Sequence, residues 1–180
     1  MFKTVNLSIA CALFCLALTG CGEQTAEVSS PNQYNQHGLT FSYPGNWEVE
    51  AEVPGNGVVL LTVSTPGDAI AIIIVRPTSL GAVLPSFAQE FSDAAAEATP
   101  VGEVTSNGIS SPSPDGKYTK VDETFQITLL GEVVPHVRSY RMTSSGGKTC
   151  FYVTQVLTDD QPKVLPGFDQ IAATLELTGS

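Results

Sequence analysis

Residues 58–75 read VVLLTVSTPGDAIAIIIV, and this stretch decides the fold. Two apolar runs, 58–63 and 69–75, flank a Pro66-Gly67 turn that is too short for a crossover, so we predict two antiparallel strands. Both runs are apolar at even and at odd positions. A strand of a two-layer sandwich needs only one apolar face, so this pattern predicts a sheet that is covered on both faces.

Two amphipathic helices are predicted as the covers. The first has apolar residues every three or four positions, namely Leu84, Phe87, Ala88, Phe91, Ala95 and Ala98. The second follows the capping candidates Asp159 and Asp160, and its apolar set is Val164, Leu165, Phe168, Ile171, Ala172 and Leu175. Pro166-Gly167 predicts a separate or distorted first turn in this second helix. We therefore predict an α/β/α three-layer sandwich, with a central antiparallel sheet and helices on both faces.

Further strands extend the predicted sheet. A hairpin is predicted from 39–43 and 47–53, around the turn residues Pro44-Gly45-Asn46. The segment 105–117 is rich in Ser, Asn, Gly and Pro and is predicted to be a surface loop or a loose edge excursion. Beyond it, the apolar patterns predict a three-stranded meander over 121–129, 133–142 and 150–157, with turns at Gly131 and Gly146-Gly147. Pro135 lacks an N–H donor, so its part of the meander should lie at an edge or a bulge.

The amino terminus has the pattern of a lipoprotein signal peptide. Lys3 precedes an apolar stretch over 5–18 that is too short to span a bilayer comfortably. Leu18-Thr19-Gly20-Cys21 resembles the lipobox of bacterial lipoproteins, which implies cleavage before Cys21 and acylation of its thiol. The alternative is an ordinary secretory peptide in which Cys21 is incidental. A diacylglyceryl thioether with an amide-linked chain such as palmitate would hold the protein at a membrane.

The chain is accordingly divided into a signal peptide over 1–20, a flexible polar tether over 21–37 and a globular domain over 38–178. Gly22 after the cysteine favours, by resemblance to enteric lipoproteins, the periplasmic face of the outer membrane. In a cyanobacterium the same signal would lead to the thylakoid lumen. Cys150 has no disulfide partner once Cys21 is acylated, and its apolar surroundings predict a buried, inert thiol.

Charge and motifs exclude several functions. Eight Lys and Arg against 18 Asp and Glu give a net charge of −10 and a pI of about 4.4, which disfavours binding to nucleic acid. Gly146-Gly147-Lys148-Thr149 lacks the first glycine and the following helix of a phosphate-binding loop. His37 and His136 have no ligand partners at metal-binding spacing. We expect no catalytic residue, no metal and no cofactor.

One strand of the meander carries a candidate binding patch. His136, Arg138 and Tyr140 share one face by the period of two, together with Met142, while Arg141 points to the other face. The alternative is structural, with Arg138 and Arg141 pairing across the Gly131 hairpin with Asp122 or Glu123, as the register decides.

The first helix carries a candidate partner face. Glu90, Asp93 and Glu97 form an acidic edge without an interleaved Lys or Arg. Mutual repulsion along this edge would be relieved by a basic partner, although an acidic domain also carries such faces simply as solvated surface.

The order of elements resembles the PsbP-like superfamily. The resemblance covers residues 38–176 and rests on GLTFSYPGNW at 38–47, on the order of strands and helices, and on the closing FDQIAATL at 168–175. It implies an α/β/α sandwich around an antiparallel sheet. The corner formed by Phe41, Tyr43, Pro44 and Trp47 marks the fold and carries no chemistry. The uninterrupted apolar run 58–63 looks more like the bacterial DcrB-like lipoproteins of this group than like its photosystem branch.

We therefore expect a membrane-anchored bacterial lipoprotein that acts as a noncatalytic interaction or scaffold module on an envelope protein or complex. One alternative is a small-ligand carrier or hydrolase that uses His136 with Arg138 as a charge stabiliser. That alternative requires a pocket beside these side chains and fails if they are buried in ion pairs. Another alternative is a photosystem II assembly factor, if the organism is photosynthetic.

Overall fold

A computed structural model describes residues 25–81, 83–99 and 102–178 of the 180-residue chain. The predicted signal peptide (1–20) and Cys21 lie outside the described residues. Within the described part of the chain, neither helix has the length and apolar character needed to cross a bilayer.

The described residues form eleven strands and two α-helices. In chain order these are β1 (Asn32–Gln36), β2 (Leu39–Tyr43), β3 (Glu48–Gly55), β4 (Val58–Ser64), β5 (Ile70–Pro77), α1 (Leu84–Ala98), β6 (Glu103–Ile109), β7 (Ser113–Asp115), β8 (Tyr118–Leu129), β9 (Glu132–Ser145), β10 (Lys148–Leu157), α2 (Gln161–Thr174) and β11 (Glu176–Leu177). A short 3-10 turn precedes each helix, at Thr78–Leu80 and at Thr158–Asp160.

The large sheet is antiparallel and has the order β3-β4-β5-β10-β9-β8-β6, with β7 also paired to β8. The predicted pair β4–β5 and the predicted meander β8–β9–β10 are both confirmed. Pairing of β9 with β10 begins at His136 and Leu157, so Pro135 has a strand partner only in β8. This part of β9 extends past the end of β10 and lies at an edge on that side, as predicted. Segment 105–117, predicted as a surface loop or a loose edge excursion, follows the second alternative, because it contains most of edge strand β6 and all of β7.

The two helices pack on opposite faces of this sheet. Cys150 and Tyr152 of β10 belong to the core with α2 residues such as Phe168, whereas Phe151 and Val153 pack with α1. Successive residues of a strand point to opposite faces, so the molecule has three layers. The predicted α/β/α sandwich is confirmed, and Cys150 is fully buried as predicted.

A small second sheet, β1-β2-β11, lies outside the predicted topology. The predicted hairpin between 39–43 and 47–53 is wrong, because β2 pairs with β1 and β11 while β3 pairs with β4. The turn at 44–46 instead carries the chain from one sheet to the other, and Trp47 donates its backbone N–H to the Pro44 carbonyl at 3.0 Å. The Trp47 ring then packs edge-on against Phe168 of α2.

The fold includes residues that precede the predicted boundary at residue 38. Tyr34 of β1 is a core residue and stacks on Phe41 with ring centroids 5.0 Å apart. Ala26 is buried, and its backbone N–H donates to the Lys163 carbonyl of α2 at 2.9 Å. The predicted tether over 21–37 is therefore wrong for residues 25–37. The one large apolar anchor of this segment is Tyr34, and its neighbours in the sequence are Asn and Gln. Residues 21–24 lie outside the described part.

Helix α2 is continuous through Pro166, so of the two predicted outcomes, a separate or a distorted first turn, separation is wrong. The 3-10 turn that precedes α2 holds Asp159 and Asp160, and neither caps the helix through its side chain. The residue after this proline, Gly167, must be glycine, because a Cβ at this position would lie 2.5 Å from the Trp47 ring. The glycine thus lets α2 approach the turn at 44–46.

Candidate functional site

A buried ion pair lies between the large sheet and α1. Glu123 of β8 and Arg138 of β9 are direct cross-strand neighbours. Arg138 Nη1 donates to Glu123 Oε2 at 3.0 Å, with the two side chains 4% and 0% exposed. The structural alternative considered for Arg138 is therefore confirmed, with Glu123 as its partner. The register decided this, because Arg138 and Glu123 share one face.

Four side chains donate to the Glu123 carboxylate. Oε2 accepts from Arg138 and, at 2.7 Å, from the Tyr140 hydroxyl. Oε1 accepts from Ser92 of α1 at 2.6 Å and from Ser106 of β6 at 2.8 Å. This carboxylate joins α1, β6, β8 and β9. Burial would raise the pKa of Glu123, but the hydrogen bonds and the Arg138 charge outweigh burial and hold the pKa below its ordinary value.

The guanidinium of Arg138 is satisfied on its other edge. Gln155 Oε1 of β10 accepts from Nε at 3.0 Å and from Nη2 at 2.6 Å. The guanidinium carbon lies 4.4 Å from the ring centroid of Phe125 and 5.4 Å from that of Phe91. Cation–π contacts and hydrogen bonds together occupy this cation.

His136 is held in the same layer. Its ring stacks on Phe125 at 5.0 Å, and its Nδ1 lies 3.0 Å from the Val134 carbonyl oxygen. Burial lowers the pKa of His136, so its neutral form is favoured. His136, Arg138 and Tyr140 are 9%, 3% and 0% exposed, so they form a buried polar network and not the open binding patch that the sequence predicted. A hydrolase or carrier that uses His136 with Arg138 loses its basis here, because Arg138 is committed to Glu123.

Arg141 pairs with residues other than those predicted. It points to the opposite face of β9, where its Nε donates to Asp115 Oδ2 of β7 at 2.6 Å. Its Nη2 lies 3.8 Å from Asp169 of α2. The predicted partners, Asp122 and Glu123, lie elsewhere: Asp122 pairs with Lys120 at 3.1 Å.

An open apolar groove runs beside α1. The helix packs over β6, β8 and β9, so no helix of the described residues covers β3, β4 and β5 on this face of the sheet. The groove has a volume of 340 Å³. Its apolar walls include Leu60, Ile70, Ile72, Ile74, Phe87 and Phe91.

The isoleucines of β5 explain why the groove is apolar. On one face of this strand Ala71, Ile73 and Val75 are fully buried against the α2 layer. On the other face Ile72 and Ile74 are only half-buried and line the groove. The sequence predicted cover on both faces of β4 and β5, but the second cover is incomplete.

Polar groups lie at defined places along the groove. Arg76 lines it, with Nη2 donating to the Gly81 carbonyl at 3.1 Å and its guanidinium 4.9 Å from the Phe151 ring centroid. Glu52 of β3 and Glu90 of α1 also line it. Gln155 belongs both to the groove wall and to the Arg138 network, so the two features are contiguous.

The acidic edge predicted on α1 is exposed. Glu90, Asp93 and Glu97 all face solvent, and Gln89 donates to Asp93 at 2.8 Å. This edge borders the groove through Glu90. The partner face proposed for these three residues remains a prediction.

The described residues offer little reactive chemistry. Within 25–81, 83–99 and 102–178, no cluster of three or more His, Cys, Asp or Glu side chains could hold a metal ion. Burial raises the pKa of the Cys150 thiol to about 12, which keeps the thiol protonated at neutral pH. The lipid attachment residue predicted at Cys21 lies outside the described part.

Comparisons with known proteins define the fold class. No family model and no curated protein matches the chain. The solution structure of cyanobacterial PsbP (CyanoP) from Synechocystis sp. PCC 6803 is similar with a TM-score of 0.53 and 15% identity, over 92% of this chain and 98% of that one. This likeness confirms a PsbP-like fold, as the sequence resemblance predicted, and at this identity it concerns the fold alone.

Two further solved structures are less similar. LpqN, involved in cell envelope biogenesis of Mycobacterium tuberculosis, has a TM-score of 0.43 and 14% identity, over 83% of this chain and 90% of that one. The Saccharomyces cerevisiae Ran-binding protein Mog1p has a TM-score of 0.49 and 8% identity, over 83% of this chain and 96% of that one.

Sequence reasoning missed the groove. The alternating apolar residues of β4 and β5 indicated two covered faces, but no sequence pattern gives the lateral position of a helix on a sheet. A usable signal lies in β3, where Glu48, Glu50 and Glu52 alternate with Val49 and Ala51. This alternation is typical of a strand with one face in water.

Proposed function

We propose that this protein is a noncatalytic, membrane-anchored docking module of a bacterial cell envelope, which binds a partner protein through the groove beside α1. One observation carries the proposal: the polar side chains with catalytic potential are buried and mutually paired, whereas 340 Å³ of apolar space is open to solvent. Open apolar surface next to polar residues is typical of interaction sites.

Membrane attachment is the second part of the proposal. The lipobox-like Leu18-Thr19-Gly20-Cys21 supports acylation of Cys21, followed by export to the outer membrane, or to the thylakoid lumen in a cyanobacterium. In a photosynthetic host, the resemblance to PsbP-like proteins makes photosystem II the first partner to examine. An anchored module needs only modest affinity, because confinement at the membrane raises the effective concentration of its partner.

Site-specific photocrosslinking in the native host tests the proposal. A photoreactive residue replaces Ala94, which is exposed and lines the groove, or Val133, which is exposed on β9 away from it. We expect a discrete protein adduct from position 94 that is absent from position 133. Equal adducts from both positions, or none from position 94, would contradict docking through the groove.

A small-ligand carrier is a second candidate, because 340 Å³ of mostly apolar space is large enough for a small apolar molecule. Native mass spectrometry of protein purified from its host tests it. A bound small molecule that is lost in Ala94→Trp and retained in Val133→Trp would favour the carrier. Protein without a bound small molecule would exclude it.

A further inference from the structure

Two rows of carboxylates reach the groove, each through one residue that lines it, Glu52 in the first and Glu90 in the second. The first, which we call the strand row, consists of Glu48, Glu50 and Glu52 on β3. Their register partners on β4 are Ser64, Thr62 and Leu60, and Thr62 and Leu60 line the groove, so the strand row lies on the groove face. The second, the helix row, consists of Glu90, Asp93 and Glu97 on α1.

Neither row is neutralised by the rest of the described chain. All six carboxylates are exposed, and within 25–81, 83–99 and 102–178 none of them forms an ion pair. Arg76 is the basic residue of the groove wall, and its contacts with the Gly81 carbonyl and the Phe151 ring leave its single positive charge in place against the six carboxylates. The groove therefore presents an apolar floor between two edges whose carboxylates outnumber the one cation of its wall. Such a field attracts a cationic partner and disfavours an anionic one.

The dimensions of the uncovered face fit one helix. Neighbouring strands lie about 4.8 Å apart, so β3, β4 and β5 span about 10 Å from the first to the third, which matches the diameter of an α-helix with its side chains. A second helix beside α1 would complete the helical layer on this face of the sheet. It would bury the half-exposed isoleucines Ile72 and Ile74.

We infer that the occupant of the groove is an amphipathic helix of the partner protein, with an apolar face flanked on both sides by Lys or Arg. The inference deepens the proposed function and rests on it. The apolar face packs on Leu60, Ile72 and Ile74, while the basic flanks meet the strand row and the helix row. A designed helix of about 18 residues is about 27 Å long, which matches the roughly 26 Å length of an eight-residue strand.

Three synthetic helices of this length test the inference, each with the same leucine face and with flanks of Lys, Gln or Glu. Binding to the full chain carrying Cys21→Ser, which has no acyl group, is measured by fluorescence anisotropy. We expect the Lys helix to bind at least tenfold more tightly than the Glu helix, with the Gln helix between them. Affinity of the Lys helix should fall as salt is raised, since the flanking charges are exposed.

Charge reversals in the protein supply the matched control. Glu50→Lys with Glu90→Lys, one residue from each row, should weaken binding of the Lys helix at least tenfold and strengthen binding of the Glu helix. Glu132→Lys with Glu176→Lys makes the same change in net charge at exposed positions away from the groove, and should alter both affinities less than twofold. Unfolding midpoints verify that all variants are folded.

The outcomes separate this inference from the proposed function. Equal binding of the three helices, or equal effects of the two double variants, would overturn the basic helix as occupant. If position 94 nevertheless crosslinks to a protein in the host, the docking function stands with a different occupant. If position 94 yields no protein adduct, both proposals fail.

Discussion

At the scale of single residues, Glu123 is a buried carboxylate that four side chains surround. Its carboxylate accepts hydrogen bonds from Ser92, Ser106, Tyr140 and Arg138, which come from α1, β6 and β9. A buried charge pair of this kind adds little net stability over an apolar pair but becomes expensive when one partner is removed. Its role is to fix where α1 lies, and the position of α1 defines one wall of the groove.

A double-mutant cycle tests whether Glu123 and Arg138 act as a unit. Glu123→Leu or Arg138→Leu alone should lower the free energy of unfolding by about 3–5 kcal/mol, because each leaves an uncompensated buried charge. The double variant should be more stable than the sum of the two losses by at least about 2 kcal/mol. Urea denaturation measures all four proteins. Strict additivity of the two losses would show that the pair does not act as a unit.

His136 should make the stability pH-dependent. Burial lowers its pKa in the folded protein, so the unfolded chain binds more protons as the pH falls below the ordinary value of 6.5. Stability is therefore full above pH 6.5 and decreases below it, with a limiting slope of about 1.4 kcal/mol per pH unit. His136→Phe, which keeps the stacking on Phe125, should remove this slope between pH 7 and 5.5.

The control for that experiment is His37→Asn, at an exposed turn position with φ of 55° that Asn tolerates. This variant should retain the slope of the unmodified protein. Loss of the slope in His37→Asn, with its retention in His136→Phe, would contradict the assignment of the pH dependence to His136.

At the scale of secondary structure elements, the contact between α2 and the turn at 44–46 holds the small sheet against the core. Pro44 and Trp47 pack against Gly167, where no side chain fits. The Trp47 ring is buried and meets Phe168 edge-on at 5.3 Å. This junction connects the two sheets, so a change in it should affect stability far more than the helix propensity of one residue.

Gly167→Ala tests this junction. Alanine favours a helix interior over glycine by about 1 kcal/mol, but its Cβ would lie 2.5 Å from the Trp47 ring. We expect a net loss of about 1–3 kcal/mol in the free energy of unfolding, as for other overpacked cores. Leu165→Ala, at an exposed position in the same helix, should change stability much less. A stabilised Gly167→Ala would contradict the tight contact.

Sequence patterns predicted the elements better than their partners. The meander and the β4–β5 pair follow from local alternation and short turns, and the amphipathic stripes of both helices were also recognisable. The pairing of β2 with β1 could not be predicted from local sequence. The sequence of β1, NQYNQ, is polar except for one apolar anchor, Tyr34. A one-residue anchor in a polar segment resembles a tether.

The candidate site was likewise predicted only in part. The alternation of β9 placed His136, Arg138 and Tyr140 on one face, and the pairing of Arg138 with Glu123 was among the alternatives. Burial of this face was not predicted, because it depends on the lateral placement of α1 over β6, β8 and β9. That placement is a tertiary property, and it also creates the groove.

At the scale of the whole molecule, the contacts of residues 25–27 limit how an anchored domain would sit. Thr25 and Glu27 are hydrogen-bonded to Asn46, so the chain is already held to the domain four residues after Cys21. Four extended residues span at most about 14 Å. An acylated Cys21 would therefore keep the domain against the membrane, with the turn at 44–46 nearest to the lipid. A longer tether would instead let the domain move freely over the membrane surface.

Energy transfer to a lipid-borne acceptor tests this orientation in the acylated protein. A donor dye at position 30, next to Gly45, should transfer energy more efficiently than one at position 79, after the far end of β5. The two dye positions lie toward opposite ends of β5, whose eight residues span about 26 Å. Equal transfer from both positions would contradict an oriented domain. No transfer from either position, in protein that keeps Cys21, would contradict the anchor itself.

The most direct test of docking through the groove is an isoleucine methyl NMR titration of the protein with the partner recovered by crosslinking at position 94. Neighbouring isoleucines of β5 report on opposite faces of the sheet. The account predicts that the methyl signals of Ile72 and Ile74 shift, whereas those of Ile73 and Ile171, buried on the α2 side, do not. Shifts confined to Ile73 and Ile171, or no shift at saturating partner, would contradict it.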